Sequence, residues 1–328
     1  MPIFSTGIPA DTYIGKFNLH LMNRLEIQMG PNDLLIDQTW LHSNREFKNL
    51  LQRKFSNIYL YSGIDKEDLN WWSNIYNDLF FRDIKIIGNH YGPNFFSFWL
   101  EFAHKHLNSY SNFDCFKVSG NIKSYMCLNR KRHHHRQHLI YLLNKSNLIS
   151  QGIVSLGKLK NSEKDYYPLP PSLDLEIDIE SDQIGESFYD SRKNTNNISN
   201  LGHPINWNNH FLNVVTETSV DSFGFISEKT LKPIIGKRPF VILGDPYIYK
   251  ILHDWGIDTF DDILGSGYNY PYKEKIKWIV ETIENINKEK NLKELLLSLK
   301  PRLENNYLNL LNAMKLNSSR IDNIIKLI

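Results

Sequence analysis

Short apolar runs that alternate with helically spaced segments do most to narrow the fold of this chain. Residues 34–37 (Leu-Leu-Ile-Asp), 57–62 and 84–89 read as strands, each closed by polar or glycine-containing turns such as Ser62-Gly63 and Gly88-Asn89. Residues 44–55, 66–80 and 94–106 carry the spacing of helices. Strands joined through helices run parallel, because a parallel return needs a long crossover. The pattern restarts near Lys117, with strands expected at 124–128, 152–156, 211–217 and 239–244. Helices are expected at 137–145, 228–235 and 247–255, with an amphipathic tail from Tyr272 to the end. The expectation is therefore α/β: a first Rossmann-like domain at 1–117 and a second at 118–328, divided at the polar break Asn108-Ser109-Tyr110-Ser111-Asn112.

Charge and composition exclude several classes of function. Among 328 residues, 38 Lys plus Arg face 36 Asp plus Glu, a net charge of +2. That balance argues against a protein that coats nucleic acid by charge alone. Cys115 and Cys127 are the two cysteines, too few for a disulfide scaffold or zinc ribbon, and they read as reduced thiols in a cytoplasmic setting. The first residues lack the pattern of a secretory leader, and no apolar run approaches the ~20 residues that span a bilayer.

The stretch 158–209 differs from the rest, with Tyr167-Pro168-Leu169-Pro170-Pro171 followed by Asn and Ser clusters. A loop that long in a compact domain is usually functional. Within it Asp174, Glu176, Asp178 and Glu180 alternate with apolar residues, so they share one solvated strand face without converging on a metal.

The chemistry-bearing block is Thr216-Glu217-Thr218-Ser219, then Phe225-Ile226-Ser227-Glu228-Lys229-Thr230, then Pro239-Phe240-Val241-Ile242-Leu243-Gly244-Asp245. It lays out strand, loop, helix and strand, with an acid at a strand end and Ser-Glu-Lys opening the helix. Ligands of doubly wound sheets bind beyond the carboxyl ends of the strands, where helix N-termini attract anions. Lys229 adds a full charge suited to a diphosphate, and Glu217 and Glu228 are placed to accept hydrogen bonds from ribose or sugar hydroxyls. The alternative is local: Ser227 an N-cap, Glu228 favoured by the helix dipole, Lys229 solvated.

This block resembles the donor-binding motif of fucosyltransferase-like and exostosin-like glycosyltransferases. Together with Tyr125-Met126-Cys127-Leu128-Asn129-Arg130 it also resembles related glycosyltransferases common in bacteriophage genomes. The resemblance spans roughly residues 124–260. It implies a GT-B fold, two Rossmann-like domains facing across a cleft, with a nucleotide sugar held by the C-terminal one. It further implies that Lys229 pairs with the donor diphosphate and that Glu228 contacts ribose or sugar, with Ser227 and Thr230 fitting the pattern. Pro233 departs from it by standing inside the helix.

Arg130, Lys131, Arg132 and Arg136 form a basic turn at a strand-to-helix junction, where an arginine clamps phosphate in two-pronged fashion or is simply solvated. Arg130 and Arg132 are the candidates for the donor. His133-His134-His135 does not have metal spacing on a helix, and His134 with His138 lacks a third ligand, so no metal site is expected. On the acceptor side, His90, in Gly88-Asn89-His90-Tyr91-Gly92-Pro93, is the candidate base, with Asp37 and Asp65 as competitors and an ordinary loop histidine as the alternative.

The function expected is transfer of a sugar from a nucleoside-diphosphate sugar to an acceptor hydroxyl, with no cofactor and no metal in the chemical step. The acceptor is a saccharide, a small molecule or modified DNA. One alternative is a phage-type enzyme acting on hydroxymethylated bases, for which Arg130 to Arg136 and Lys229, Lys232, Lys237 and Arg238 would supply basic patches. The other is a non-catalytic nucleotide or nucleic-acid binding module.

Overall fold

The computed structural model describes residues 3–4, 20–24, 30, 33–37, 57–62, 84–88, 97–105, 107–110, 114–118, 120–129, 131–157, 165–169, 201, 204–221 and 224–327. The chain forms two compact units, Met1–Lys105 with Ala313–Ile328, and His106–Asn312. The chain thus divides after Lys105 where the sequence reading put residue 117, and the end of the last helix returns to the first unit.

In the first unit, β1 (Ile3–Phe4), β2 (Leu34–Asp37), β3 (Ile58–Ser62) and β4 (Ile84–Gly88) form a fully parallel sheet in that order. The helix Phe98–Lys105 buries Phe98, Leu100, Phe102 and Ala103. It is tied to the final turns of the helix Lys300–Leu327 by Asn317, whose side chain accepts from Ser97 N–H at 2.7 Å and donates to Ser97 O at 3.0 Å. Ser318 Oγ adds a 2.5 Å bond to Glu101. These contacts account for the return of the C-terminal helix to this unit. The helices expected at 44–55 and 66–80 lie outside the described residues.

In the second unit, β5 (Lys123–Asn129), β6 (Gly152–Leu156), β7 (His210–Thr216) and β8 (Phe240–Leu243) are again all parallel, in the order β6-β5-β7-β8. The expectation of successive parallel α/β units holds. Every residue of β7 is buried, as a central parallel strand covered on both faces requires. The helix His134–Lys145 carries the chain from β5 outward to β6, and Glu228–Ile235 carries it from β7 to β8 in the opposite direction. Right-handed crossovers running in opposite directions put those helices on opposite faces. The strand order therefore reverses between β5 and β7, and a crevice opens at their carboxyl ends.

The expected helical tail is three helices, Tyr272–Ile286, Leu292–Ser298 and Lys300–Leu327. Asn291 starts the second of them by accepting from Glu294 N–H at 3.1 Å. Pro233 does not break Glu228–Ile235, which runs on to Ile235 before Gly236 ends it. Arg238 is fully buried and donates to the carbonyls of His210, Gly236, Lys237, Cys115 and Trp207. Lys237 lies over the rings of Phe116 and Tyr307, and Lys232 is buried. Of the basic residues expected to serve a DNA acceptor, Lys232 and Arg238 are thus turned inward, while Lys229 and Lys237 are partly exposed. Among the described residues no helix is long and apolar enough to cross a membrane, and no cluster of three metal-ligating side chains occurs.

Candidate functional site

The crevice is assembled from four segments that follow strands or open helices. β5 ends at Asn129, whose side-chain oxygen accepts from Thr216 Oγ1 at 2.5 Å, tying the two strand ends that flank the reversal. Its backbone N–H is taken by Ser155 Oγ of β6 at 3.1 Å. Behind this tie, His135 Nε2 lies 2.8 Å from Glu217 O, and Arg136 donates to Thr216 O at 3.0 Å and to Glu217 O at 3.3 Å. A carbonyl only accepts, so the His135 proton sits on Nε2. Burial, reinforced by Arg136, pushes His135 down to about 3, and the imidazole is neutral at ordinary pH. The histidine run supplies a structural imidazole here. His134 and His138 instead join Tyr166, Tyr167 and Tyr272 in a ring cluster, with the His138 and Tyr167 rings stacked at 4.8 Å.

Glu217 follows β7 and is the hub of the opposite wall. It is 0% exposed. Oε1 accepts from Ser227 N–H at 3.0 Å and Thr230 Oγ1 at 2.7 Å, and Oε2 accepts from Ser227 Oγ at 2.6 Å. The carboxylate thus pins the first turn of Glu228–Ile235 to the end of β7, where the helix dipole also favours negative charge. Asp245 fixes the intervening loop by accepting from Gly224 N–H and Tyr247 N–H, both at 2.9 Å. Gly224 has φ 59°, a left-handed conformation suited to glycine.

With its hydrogen given to Glu217, Ser227 Oγ turns its lone pairs to Lys229, accepting from the backbone N–H at 3.3 Å and from Nζ at 3.2 Å. Ser227 is the N-cap, as the local reading held. Lys229 Nζ also meets Glu228 Oε1 at 2.8 Å, with the lysine side chain 31% exposed and the glutamate buried. Burial opposes ionisation of Glu228, but Lys229 and Lys232 outweigh it and hold the carboxyl below its ordinary range. An ammonium has three hydrogens. Two contacts within the first turn set the direction of the third, at a half-exposed position beside the crevice.

The structure brings Glu217, Ser227, Glu228, Lys229 and Thr230 together, with Glu217 and Thr230 inward and Lys229 outward. Thr218 is exposed just beyond β7. Arg132 lies at the β5 junction, where it donates to Gly157 O at 2.7 Å and to Asp165 at 2.6 Å. Those bonds hold the segment after β6 and residue 165. Asp37 is the last residue of β2. His90, Asp65, Arg130 and the acidic strip 174–180 lie outside the described residues. Asn129 and the structural role of Arg136, which the sequence reading had in a phosphate-facing basic turn, were missed, as was the place of His135 behind the strand ends. For Asn129 the sequence signal was a polar residue closing an apolar strand.

No family model matches this chain, and no curated protein matches it. A likeness among solved structures is the "Crystal Structure of alpha1,3-Fucosyltransferase with GDP-fucose", at 11% identity and a TM-score of 0.44, covering 98% of this chain and 89% of that one. Chains so distant need share neither activity nor ligand.

Proposed function

We propose that this protein is a glycosyltransferase that takes a sugar from a nucleoside-diphosphate donor and transfers it to an acceptor hydroxyl. The observation that carries the reading is the anchored first turn of Glu228–Ile235 at the β5/β7 reversal. There a buried carboxylate orients Ser227, Ser227 orients Lys229, and the ammonium stands beside helix N–H groups. A fixed cation at a helix start suits a diphosphate, both in binding and as negative charge grows on it during departure. The motif resemblance of the same residues to donor-binding glycosyltransferases points the same way.

In this reading Lys229 contacts the diphosphate, Glu228 accepts from donor hydroxyls while balancing Lys229, and Glu217, Ser227 and Thr230 are positioning residues. The chemical step needs no metal, because the lysine and the helix start meet the leaving charge. His90 is the proposed base, with Asp37 and Asp65 as its competitors. The acceptor is a saccharide or small molecule. The inward Arg238 and the ring-covered Lys237 weigh against a duplex DNA acceptor, which needs outward cations. Calorimetry against UDP, GDP, ADP and CDP, followed by donor-sugar hydrolysis or transfer, tests the reading. Binding with turnover supports it, and binding without turnover leaves a nucleotide-binding module. No binding to any of the four removes it.

A further inference from the structure

Lys275, in the first turn of the helix Tyr272–Ile286, is a buried lysine that the proposed donor chemistry does not use. It is 2% exposed, and its one hydrogen-bond partner among the described residues is the carbonyl of Gly244, just beyond β8, which Nζ meets at 2.8 Å. Asp245, the next residue, is the acid whose charge acts on it. Among the described residues no carboxylate bonds the ammonium, so burial dominates and pushes Lys275 down to about 8. An ammonium held this way costs stability, and a methionine of similar length would fill the same space without that cost.

The peptide that Lys275 holds stands directly behind the crevice. Leu243 O accepts from Glu217 N–H at 3.0 Å, and a Cβ added to Gly244 would stand 3.5 Å from Glu217 Cβ. The end of β8 thus abuts the residue whose carboxylate pins the first turn of Glu228–Ile235. Asp245 Oδ1 accepts from Gly224 N–H, within the loop that delivers Ser227. The Gly244–Asp245 corner therefore sets that loop at two points, its start at Glu217 and its middle at Gly224. Around Lys275, burial pushes Tyr125 and Cys127 of β5 and Tyr268 up, and pushes His135 and His138 of His134–Lys145 down, so these groups stay neutral between pH 7 and 9.5. Arg136 keeps its charge throughout. Lys123 and Lys145 stand at the far ends of β5 and of that helix.

We propose that Lys275 is a positioning residue of the donor site: its ammonium fixes the Gly244–Asp245 corner, and through it the loop that presents Ser227 and Lys229 to the diphosphate. This rests on the donor reading above and deepens it. Folding and binding then respond oppositely to pH. The unfolded chain holds the lysine proton up to about 10.4, so a rise from about pH 8 toward that value adds stability by removing a buried charge. The same deprotonation releases Asp245 from the ammonium and loosens the loop, so diphosphate affinity falls over that range. A packing role alone yields the gain in stability with no loss of affinity.

The test is calorimetric titration of the full chain with the best-binding of UDP, GDP, ADP and CDP, comparing the parent with Lys275→Met from pH 7 to 9.5, with urea midpoints alongside. At pH 7 the variant is expected to bind about tenfold more weakly. The ratio of the two Kd values is expected to shrink about threefold or more by pH 9.5 while the parent's urea midpoint rises relative to the variant's. Taking the ratio cancels the titration of Lys229 and of the ligand. If Lys275→Met does not fold, Lys275→Gln takes its place. Parent-like affinity in the variant at pH 7 overturns the role of Lys275 and leaves the donor reading standing. A ratio that stays constant over the range assigns Lys275 to packing and likewise overturns the proposal alone. Failure of the parent to bind any of the four nucleotides overturns both readings together.

Discussion

Removing the charge of Glu217 while keeping its shape is expected to loosen the helix start and, through it, Lys229. In Glu217→Gln the amide oxygen, if placed at Oε1, still accepts from Ser227 N–H and Thr230 Oγ1. The amide nitrogen then takes the place of Oε2, which lies 2.6 Å from Ser227 Oγ. Donor meets donor, because the Ser227 lone pairs already serve Lys229. Charge-assisted bonds contribute about 1.5–3 kcal/mol each and neutral ones about half as much. One bond lost and two weakened by half therefore cost about 3–6 kcal/mol. Glu217→Ala would strand three buried donors at about 1–3 kcal/mol each, a sum comparable with the ~5–15 kcal/mol stability of a whole protein, so the Gln variant is the informative one. Urea denaturation measures the stability and nucleotide calorimetry the affinity, which should fall several-fold even where the variant is fully folded. A Gln variant within about 0.5 kcal/mol of the parent and with equal affinity would refute the pin.

Further outcomes follow from the same geometry. His135 and His210 are buried, which pushes each down to about 3. The unfolded chain binds those protons near 6.5, so the stability they give is present above pH 6.5 and is lost as pH falls toward 3, by about 1.4 kcal/mol per unit for each. Urea midpoints from pH 7.5 to 4.5 should show this. His210→Asn, whose amide can still reach the Asn206 carbonyl that Nδ1 meets at 2.7 Å, should flatten the slope relative to the parent, and an unchanged slope would contradict the assignment. Turnover is expected to survive EDTA, since a lysine and a helix start serve the diphosphate; complete loss restored by Mg²⁺ or Mn²⁺ would turn attention to residues 174–180. His90→Ala should lower kcat by about 10² or more with little change in KM, as loss of a general base does. A near-normal kcat would move the search to Asp37 and Asp65.

The strands were legible because parallel strands buried on both faces write themselves as apolar runs: 34–37 and 152–156 match to the residue, and β7 differs by one at each end. The start of Glu228–Ile235 was legible for a local reason, the N-cap chemistry of Ser227. What spacing did not reveal was direction. Glu217 and Ser227 are ten residues apart, and only the placement of the helix on the sheet turns that carboxylate inward, where the sequence reading had it facing a ligand. Arg132 reaches Asp165 across 33 residues, a pairing that no periodicity signals. β1, two residues long, carries too little pattern to read. The stacking of Tyr167 on His138 likewise depends on where a long loop returns.

The central claim, that Lys229 at the β5/β7 reversal holds a nucleoside diphosphate, is tested most directly by calorimetric titration of the parent and Lys229→Met with the same nucleoside diphosphate. The charged contact contributes about 1.5–3 kcal/mol, which corresponds to roughly a tenfold to hundredfold weaker Kd in the variant at an unchanged urea midpoint. Equal affinity in the two proteins would contradict the account and place the diphosphate elsewhere.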